Sequence, residues 1–183
     1  MSQTELSYHG NPNLKPIGYE HDFTKEQLEE FVKCEQDPIY FIENYCQIVT
    51  LDKGLQPFKL YDCQKKKVDF IMNNRKTILM EGRQQGKTVT AAACIVHYSV
   101  FNADKNIAIM ANKTSAAREV LSRYQIMYEN LPIWMQQGVK TWNKGDVDLE
   151  NGSRVFTSAT TCLLYTSDAA DEGLGVDLGG RRI

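Results

Sequence analysis

The sequence predicts an α/β fold in which helices cross over between the strands of a parallel sheet. A short apolar segment at residues 77–80 is followed by a glycine-containing loop and by helical spacing of apolar residues over 87–101. A second apolar segment at 107–111 is followed by another helical pattern that extends to about residue 130. Strands and helices that alternate in this way are typical of parallel sheets with crossover helices.

Composition excludes several classes of protein. Hydrophobic side chains make up 42% of the 183 residues, enough for a sizeable core, so a wholly disordered chain is excluded. The longest apolar stretch, 91–96, is far shorter than the roughly 18 residues of a membrane-spanning helix, so no membrane association is predicted. A formal net charge of -2 means that any contact with nucleic acid must be local. The cysteines are odd in number and lack CxxC spacing, which argues against a disulfide framework or a zinc site.

Four regions are predicted along the chain. Residues 1–22 combine glycine and proline with polar residues and show no helical or strand period, which indicates an extended arm. A small helical subdomain is predicted over 23–58, and the alternating strands and helices are predicted to form the core over 59–161. Residues 162–183 resemble translated sequencing-adapter sequence, so we expect this tail to be non-native.

Local signals place the element boundaries. Thr24 and Gln27 have the spacing of a capping box at the start of a first helix. Asp37 followed by Pro38 predicts the start of a second helix, because aspartate caps well and proline fits the first helical position. The Asn-Gly pair at 151–152 predicts a hairpin with a two-residue turn.

The run at 81–88 ends in Gly86-Lys87-Thr88, the core of a phosphate-binding loop, or Walker A motif. Glycine lets backbone N–H groups close around phosphate oxygens, lysine reaches the β and γ phosphates, and the threonine hydroxyl is a ligand for Mg²⁺. The motif departs from the usual pattern at Glu81, where glycine is expected, although Gly82 is adjacent. The tripeptide also arises by chance, but here it follows an apolar segment and opens a helix, which favours a nucleotide site.

Two further residues are candidates for nucleotide contacts. Arg83 lies inside the loop, where its permanent charge could stabilise the γ-phosphate, and the alternative is an ordinary surface arginine. Gln64 carries a side-chain amide that can bind adenine through both its donor and its acceptor, and the alternative is a helix glutamine without a ligand. Gln84 and Gln85 complete the predicted binding loop.

Basic residues elsewhere have two interpretations. Lys65, Lys66 and Lys67 are adjacent on a predicted helix, point in different directions and are predicted to form a solvated face, with DNA contact as the alternative. Lys113 and Arg118 follow the second predicted strand, where DNA contact and simple solvation remain equally open.

Seven segments in order carry a resemblance to a known family. They are DPIYFIENY at 37–45, PFKLYDCQ at 57–64, GRQQGKT at 82–88, ANKTS at 111–115, and WNKG, NG and TSATT between 142 and 161. Together they resemble the large terminase subunit, the DNA-packaging ATPase of tailed bacteriophages. The resemblance implies a P-loop NTPase fold, helicase-like or RecA-like, of which this chain carries an incomplete part.

The resemblance also implies a function and partners. The family's motor uses ATP and Mg²⁺ to translocate double-stranded DNA into the prohead, as an oligomer on the capsid portal, together with the small terminase subunit, in the host cell cytoplasm. In the matching motifs Gln64 contacts adenine, Lys87 and Thr88 hold phosphate and Mg²⁺, and Arg83 triggers hydrolysis. The loop residues Gly82, Gln84, Gln85 and Gly86 complete the nucleotide site.

The chain departs from the family pattern after residue 161. A family member continues into an apolar strand that ends in Asp-Glu, where the aspartate orients Mg²⁺ and the glutamate activates water. The pair at 171–172 does not follow an apolar run, so we do not expect it to serve in this way. The family's nuclease half has no counterpart here. We therefore expect a truncated chain that binds ATP and does not turn it over.

Two other functions are consistent with the same motifs. A helicase-like remodelling ATPase shares the glutamine motif and the phosphate-binding loop. A non-hydrolysing nucleotide-binding module would keep the loop without motor activity.

Overall fold

A computed structural model of the chain describes residues 8–50 and 52–160. The predicted tail at 162–183, the acidic pair at 171–172 and the first seven residues of the predicted arm lie outside these residues. The helices are α1 (Lys25–Gln36), α2 (Pro38–Tyr45), α3 (Asp62–Asn73), α4 (Lys87–Phe101) and α5 (Thr114–Glu129). The strands are β1 (Gln47–Thr50), β2 (Gly54–Pro57), β3 (Asn106–Ala111), β4 (Val139–Trp142), β5 (Asp146–Leu149) and β6 (Arg154–Ala159). In the two described ranges, no helix is long and apolar enough to cross a membrane.

The predicted α/β class is correct, but the main sheet is mixed rather than parallel. The predicted parallel direction therefore holds for only one pair of strands. The strand order of the main sheet is β3-β6-β5-β4. β3 and β6 run parallel, whereas β6 with β5 and β5 with β4 are antiparallel. The reason is local, because β4, β5 and β6 follow one another through short turns, and a short turn reverses the chain. Helix α5 makes the crossover and packs against β3 and β6.

The strand predicted at 77–80 does not form. These residues have no regular secondary structure, and Ile78 and Met80 are 86% and 93% exposed. In the described part of the chain no strand pairs with them, and a strand is stabilised only by pairing with a neighbour. An apolar pattern alone therefore predicted more order than this segment shows.

The cap signals give the two N-terminal helices correctly. At α1, the Thr24 side chain accepts from the backbone N–H of Gln27 while the Gln27 side chain accepts from that of Thr24. At α2, Asp37 caps the backbone N–H of Tyr40 at 2.9 Å. A β1–β2 hairpin then follows within 23–58, a region for which only helices were predicted.

Helix α3 begins at Asp62. The N-cap residue of α5 is Lys113, which makes no side-chain cap hydrogen bond. The predicted two-residue turn is one residue longer than expected. The turn between β5 and β6 has three residues, 150–152, closed by a hydrogen bond from the Leu149 N–H to the carbonyl of Ser153. A three-residue loop ending in a left-handed glycine is a common hairpin connection.

The core lies between α2, α4, α5 and the inner face of the main sheet. An aromatic cluster anchors it, with the Phe41 ring against those of His97 and Phe101 at centroid distances of 5.4 and 5.3 Å. Part of the predicted arm joins this core: Leu14 is buried, and Pro16 bridges to Val139 at the edge of the sheet. Helix α4 is buried along most of its length, which fixes the position of the loop that precedes it.

Candidate functional site

The loop at 81–86 leads directly into α4. Within the loop, the φ angle is positive at Gln84 (62°) and at Gly86 (71°), and it is not positive at 81–83 or at Gln85. Alternation of this kind turns successive backbone N–H groups towards one side and makes a concave anion-binding surface. The sequence folds this way because Gly86 adopts the left-handed conformation without steric penalty.

The N-terminus of α4 adds a favourable field to this loop. Gly86 is the N-cap, no side chain caps the helix, and the first turn has no acidic residue. Unpaired N–H groups and the helix dipole together attract negative charge. The first-turn side chains of Lys87 and Thr88 are both exposed. The Lys87 ammonium donates to the backbone carbonyl of Glu81 at 2.9 Å, which holds it across the mouth of the loop.

Gln64 lies against the loop from the side of α3. It is 4% exposed, and its Oε1 accepts a hydrogen bond from the Tyr61 N–H at 3.0 Å. A Cβ atom placed on Gly86 would lie 2.4 Å from the Gln64 Nε2, so the amide occupies the space that a side chain there would need. The structure therefore brings Gln64 and the loop together, although Gly86 lies 22 residues after Gln64 in the sequence.

Three predicted loop residues face solvent. Arg83, Gln84 and Gln85 are exposed, and in the described residues the Arg83 guanidinium makes no ion pair or hydrogen bond. An exposed guanidinium beside an anion-binding loop can turn towards a bound phosphate without breaking a contact within this part of the chain.

One lysine of the predicted solvated face is buried at the loop. The Lys67 side chain is 3% exposed, and its ammonium lies 2.7 Å from Oε2 of Glu81. Lys65 instead pairs with Glu43 at 3.1 Å, and Lys66 is exposed. The prediction of a solvated face is thus correct for Lys66 and wrong for Lys67. Lys67 is buried because the fold brings Glu81, 14 residues later in the sequence, into contact with it.

Comparison with known families identifies the segment that contains this loop. Residues 78–162 match the family described as terminase large subunit, T4likevirus-type, N-terminal. These residues are similar to the N-terminal part of a terminase large subunit. This confirms the resemblance drawn from the sequence, and the family points to a component of a DNA-packaging motor.

The match covers the loop, α4, β3, α5 and the β4–β5–β6 region, whereas α3 and Gln64 lie before it. Sequence reasoning missed the Lys67–Glu81 pair. Two signals could have found it: Glu81 breaks the Walker A pattern with a charge, and Lys67 follows Gln64 by three residues on the same helical face.

Proposed function

We propose that residues 82–88 bind the phosphates of ATP with Mg²⁺, and that the chain is the ATP-binding portion of a viral DNA-packaging motor. The observation that carries this proposal is the alternating backbone of 83–86 leading into the uncapped start of α4. This arrangement suits a polyphosphate, and it lies within a segment that matches the terminase family.

Each predicted residue has a role that suits its position. Backbone N–H groups of the loop and the Lys87 ammonium would surround the phosphates, and the Thr88 hydroxyl is proposed to bind Mg²⁺. The Gln64 amide faces the loop and is proposed to contact adenine. Arg83 is proposed to stabilise charge on the γ-phosphate. When bound, Mg²⁺ would neutralise phosphate charge and polarise the terminal phosphoryl group.

Hydrolysis needs acidic residues that the described strands do not supply. The carboxyl ends of the parallel strands β3 and β6 are followed by Asn112 and Thr160 rather than by carboxylates. We therefore propose that this chain binds ATP, with turnover far below that of a complete motor.

The partners follow from the family. Double-stranded DNA, the capsid portal and the small terminase subunit are the proposed partners, with assembly as an oligomer on the portal in the host cell cytoplasm. Lys113 and Arg118 are exposed at the start of α5 and are candidates for phosphate contacts with DNA.

Equilibrium binding of a fluorescent ATP analogue with Mg²⁺ tests the nucleotide site. The unmodified chain should bind, and Lys87→Ala should weaken binding by roughly 10- to 100-fold, since a charge-assisted hydrogen bond contributes about 1.5–3 kcal/mol. Lys140→Ala is the matched control, because Lys140 is an exposed lysine on β4. Equal affinities for all three proteins, or no binding by the unmodified chain, would contradict the proposal.

A further inference from the structure

Lys67 is a buried lysine whose ammonium contacts two points of the phosphate-binding loop. It donates to Oε2 of Glu81 at 2.7 Å and approaches the carbonyl oxygen of Gln85 at 3.5 Å. The side chain is 3% exposed, while that of Glu81 is 20% exposed. A lysine is rarely buried to this extent unless it is paired, so the burial of Lys67 depends on its contact with Glu81.

Lys67 and Gln64 form one contact face of α3. They are three residues apart, both are buried, and both face the loop: Gln64 at Gly86, and Lys67 at Glu81 and Gln85. Since 81 and 85–86 are the two ends of the loop, this face holds both ends. Helix α3 thereby connects the proposed adenine contact to the backbone that would receive the phosphates.

The positive charge of Lys67 offsets the negative charge of Glu81 at the start of the loop. A carboxylate at the entrance of a loop whose N–H groups bind anions would repel a triphosphate. With Lys67 in place the pair is close to neutral, and the backbone carbonyl of Glu81 remains available to Lys87, at 2.9 Å. Removing only the lysine would leave the carboxylate without its partner beside the proposed phosphates.

We propose that Lys67 is a positioning residue for the phosphate-binding loop, which cancels the charge of Glu81 and holds the carbonyl of Gln85 so that the loop can accept a triphosphate. This inference rests on the proposed nucleotide site. Lys67 acts on the loop and does not itself touch the nucleotide. A purely structural ion pair would affect folding alone, so the test must separate affinity from stability.

The test is a charge-rescue cycle on the full chain, read as the dissociation constant of a fluorescent ATP analogue with Mg²⁺. Lys67→Met should weaken binding by about tenfold, and Lys67→Met combined with Glu81→Gln should restore affinity to within about threefold of the unmodified chain. Glu81→Gln alone should bind at least as tightly as the unmodified chain. Lys66→Met is the matched control, since Lys66 is exposed on the same helix, and should leave affinity unchanged.

Thermal unfolding of the same proteins without nucleotide gives the structural readout. If Lys67→Met lowers the melting temperature but leaves affinity unchanged, the pair is structural and the proposal is overturned. If the double variant binds as weakly as the single one, charge cancellation is wrong. If Lys67→Met fails to fold, the affinity of Glu81→Gln tests the proposal instead. Binding by Glu81→Gln about tenfold weaker than that of the unmodified chain would overturn it. If the unmodified chain binds no analogue, the nucleotide site itself is wrong and this inference falls with it.

Discussion

Replacing Gly86 with alanine perturbs the loop at the residue on which its shape depends. Gly86 has a φ of 71° and a neighbour, Gln64 Nε2, only 2.4 Å from where the new Cβ would lie. The alanine must therefore adopt a left-handed conformation, and the Gln64 amide must move away. That movement also breaks the hydrogen bond that Gln64 accepts from the Tyr61 N–H at the start of α3.

These effects can be summed from the structure. A left-handed backbone costs a residue other than glycine about 1–2 kcal/mol. Losing the cap at α3 costs about 1 kcal/mol. The lower entropy of the unfolded alanine chain offsets about 0.4–1 kcal/mol. The free energy of unfolding should therefore fall by about 2 kcal/mol, a drop of roughly 4–8 °C in melting temperature for a chain of this size.

Urea unfolding followed by circular dichroism measures this change, and two glycine controls separate its causes. Gly54→Ala carries the backbone strain alone, since φ is 69° and nothing lies within 4 Å of the new Cβ, so it should lose about 1 kcal/mol or less. Gly82→Ala has neither problem, because its nearest contact is 3.8 Å away, and it should change stability by less than about 0.5 kcal/mol. If Gly86→Ala were no worse than Gly54→Ala, the close packing of Gln64 on the loop would be refuted.

Three further outcomes are expected. Phe41→Ala should lower the free energy of unfolding by about 3–5 kcal/mol, because the ring is fully buried in the aromatic cluster; a loss under about 1 kcal/mol in urea unfolding would contradict the packing. Burial lowers the pKa of His97, so the folded chain keeps it neutral while the unfolded chain takes up a proton below about pH 6.5. Stability should therefore fall as the pH drops from about 6.5 to 5, and His97→Gln should show a shallower fall; identical pH profiles would rule out this effect. Mass mapping after brief maleimide treatment of the native chain should find label on Cys63, which is exposed, and none on the buried thiols, whose pKa values burial raises; label on those thiols before unfolding would disagree with the structure. The buried thiols are Cys34, Cys46 and Cys94.

The elements that depend on neighbouring residues were predictable from the sequence. The bounds of α4 follow from Gly86 at one end and apolar spacing as far as Phe101, and the structure gives the same helix. The caps at Thr24 and Asp37 also act over three residues, so their spacing was sufficient. The candidate loop was found for the same reason, since its residues are contiguous.

Features that depend on distant residues were not predictable in this way. An apolar run at 77–80 forms a strand only if another strand lies beside it, and the sequence pattern carries no information on that neighbour. The burial of Lys67 depends on Glu81, which is 14 residues away and reaches it only after α3 and the loop have packed together. The direction of the strands in the main sheet likewise depends on which strand follows which through a short turn.

Amide hydrogen exchange with and without Mg²⁺ and ATP tests whether ATP binds at the loop and the start of α4. We expect slower exchange at 82–90 and at the N-terminal turn of α3 around Gln64, with β4 and β5 unchanged, and Lys87→Ala should reduce this protection at the same nucleotide concentration. If saturating nucleotide left 82–90 unprotected, or protected another region instead, this loop would not be the place where ATP binds.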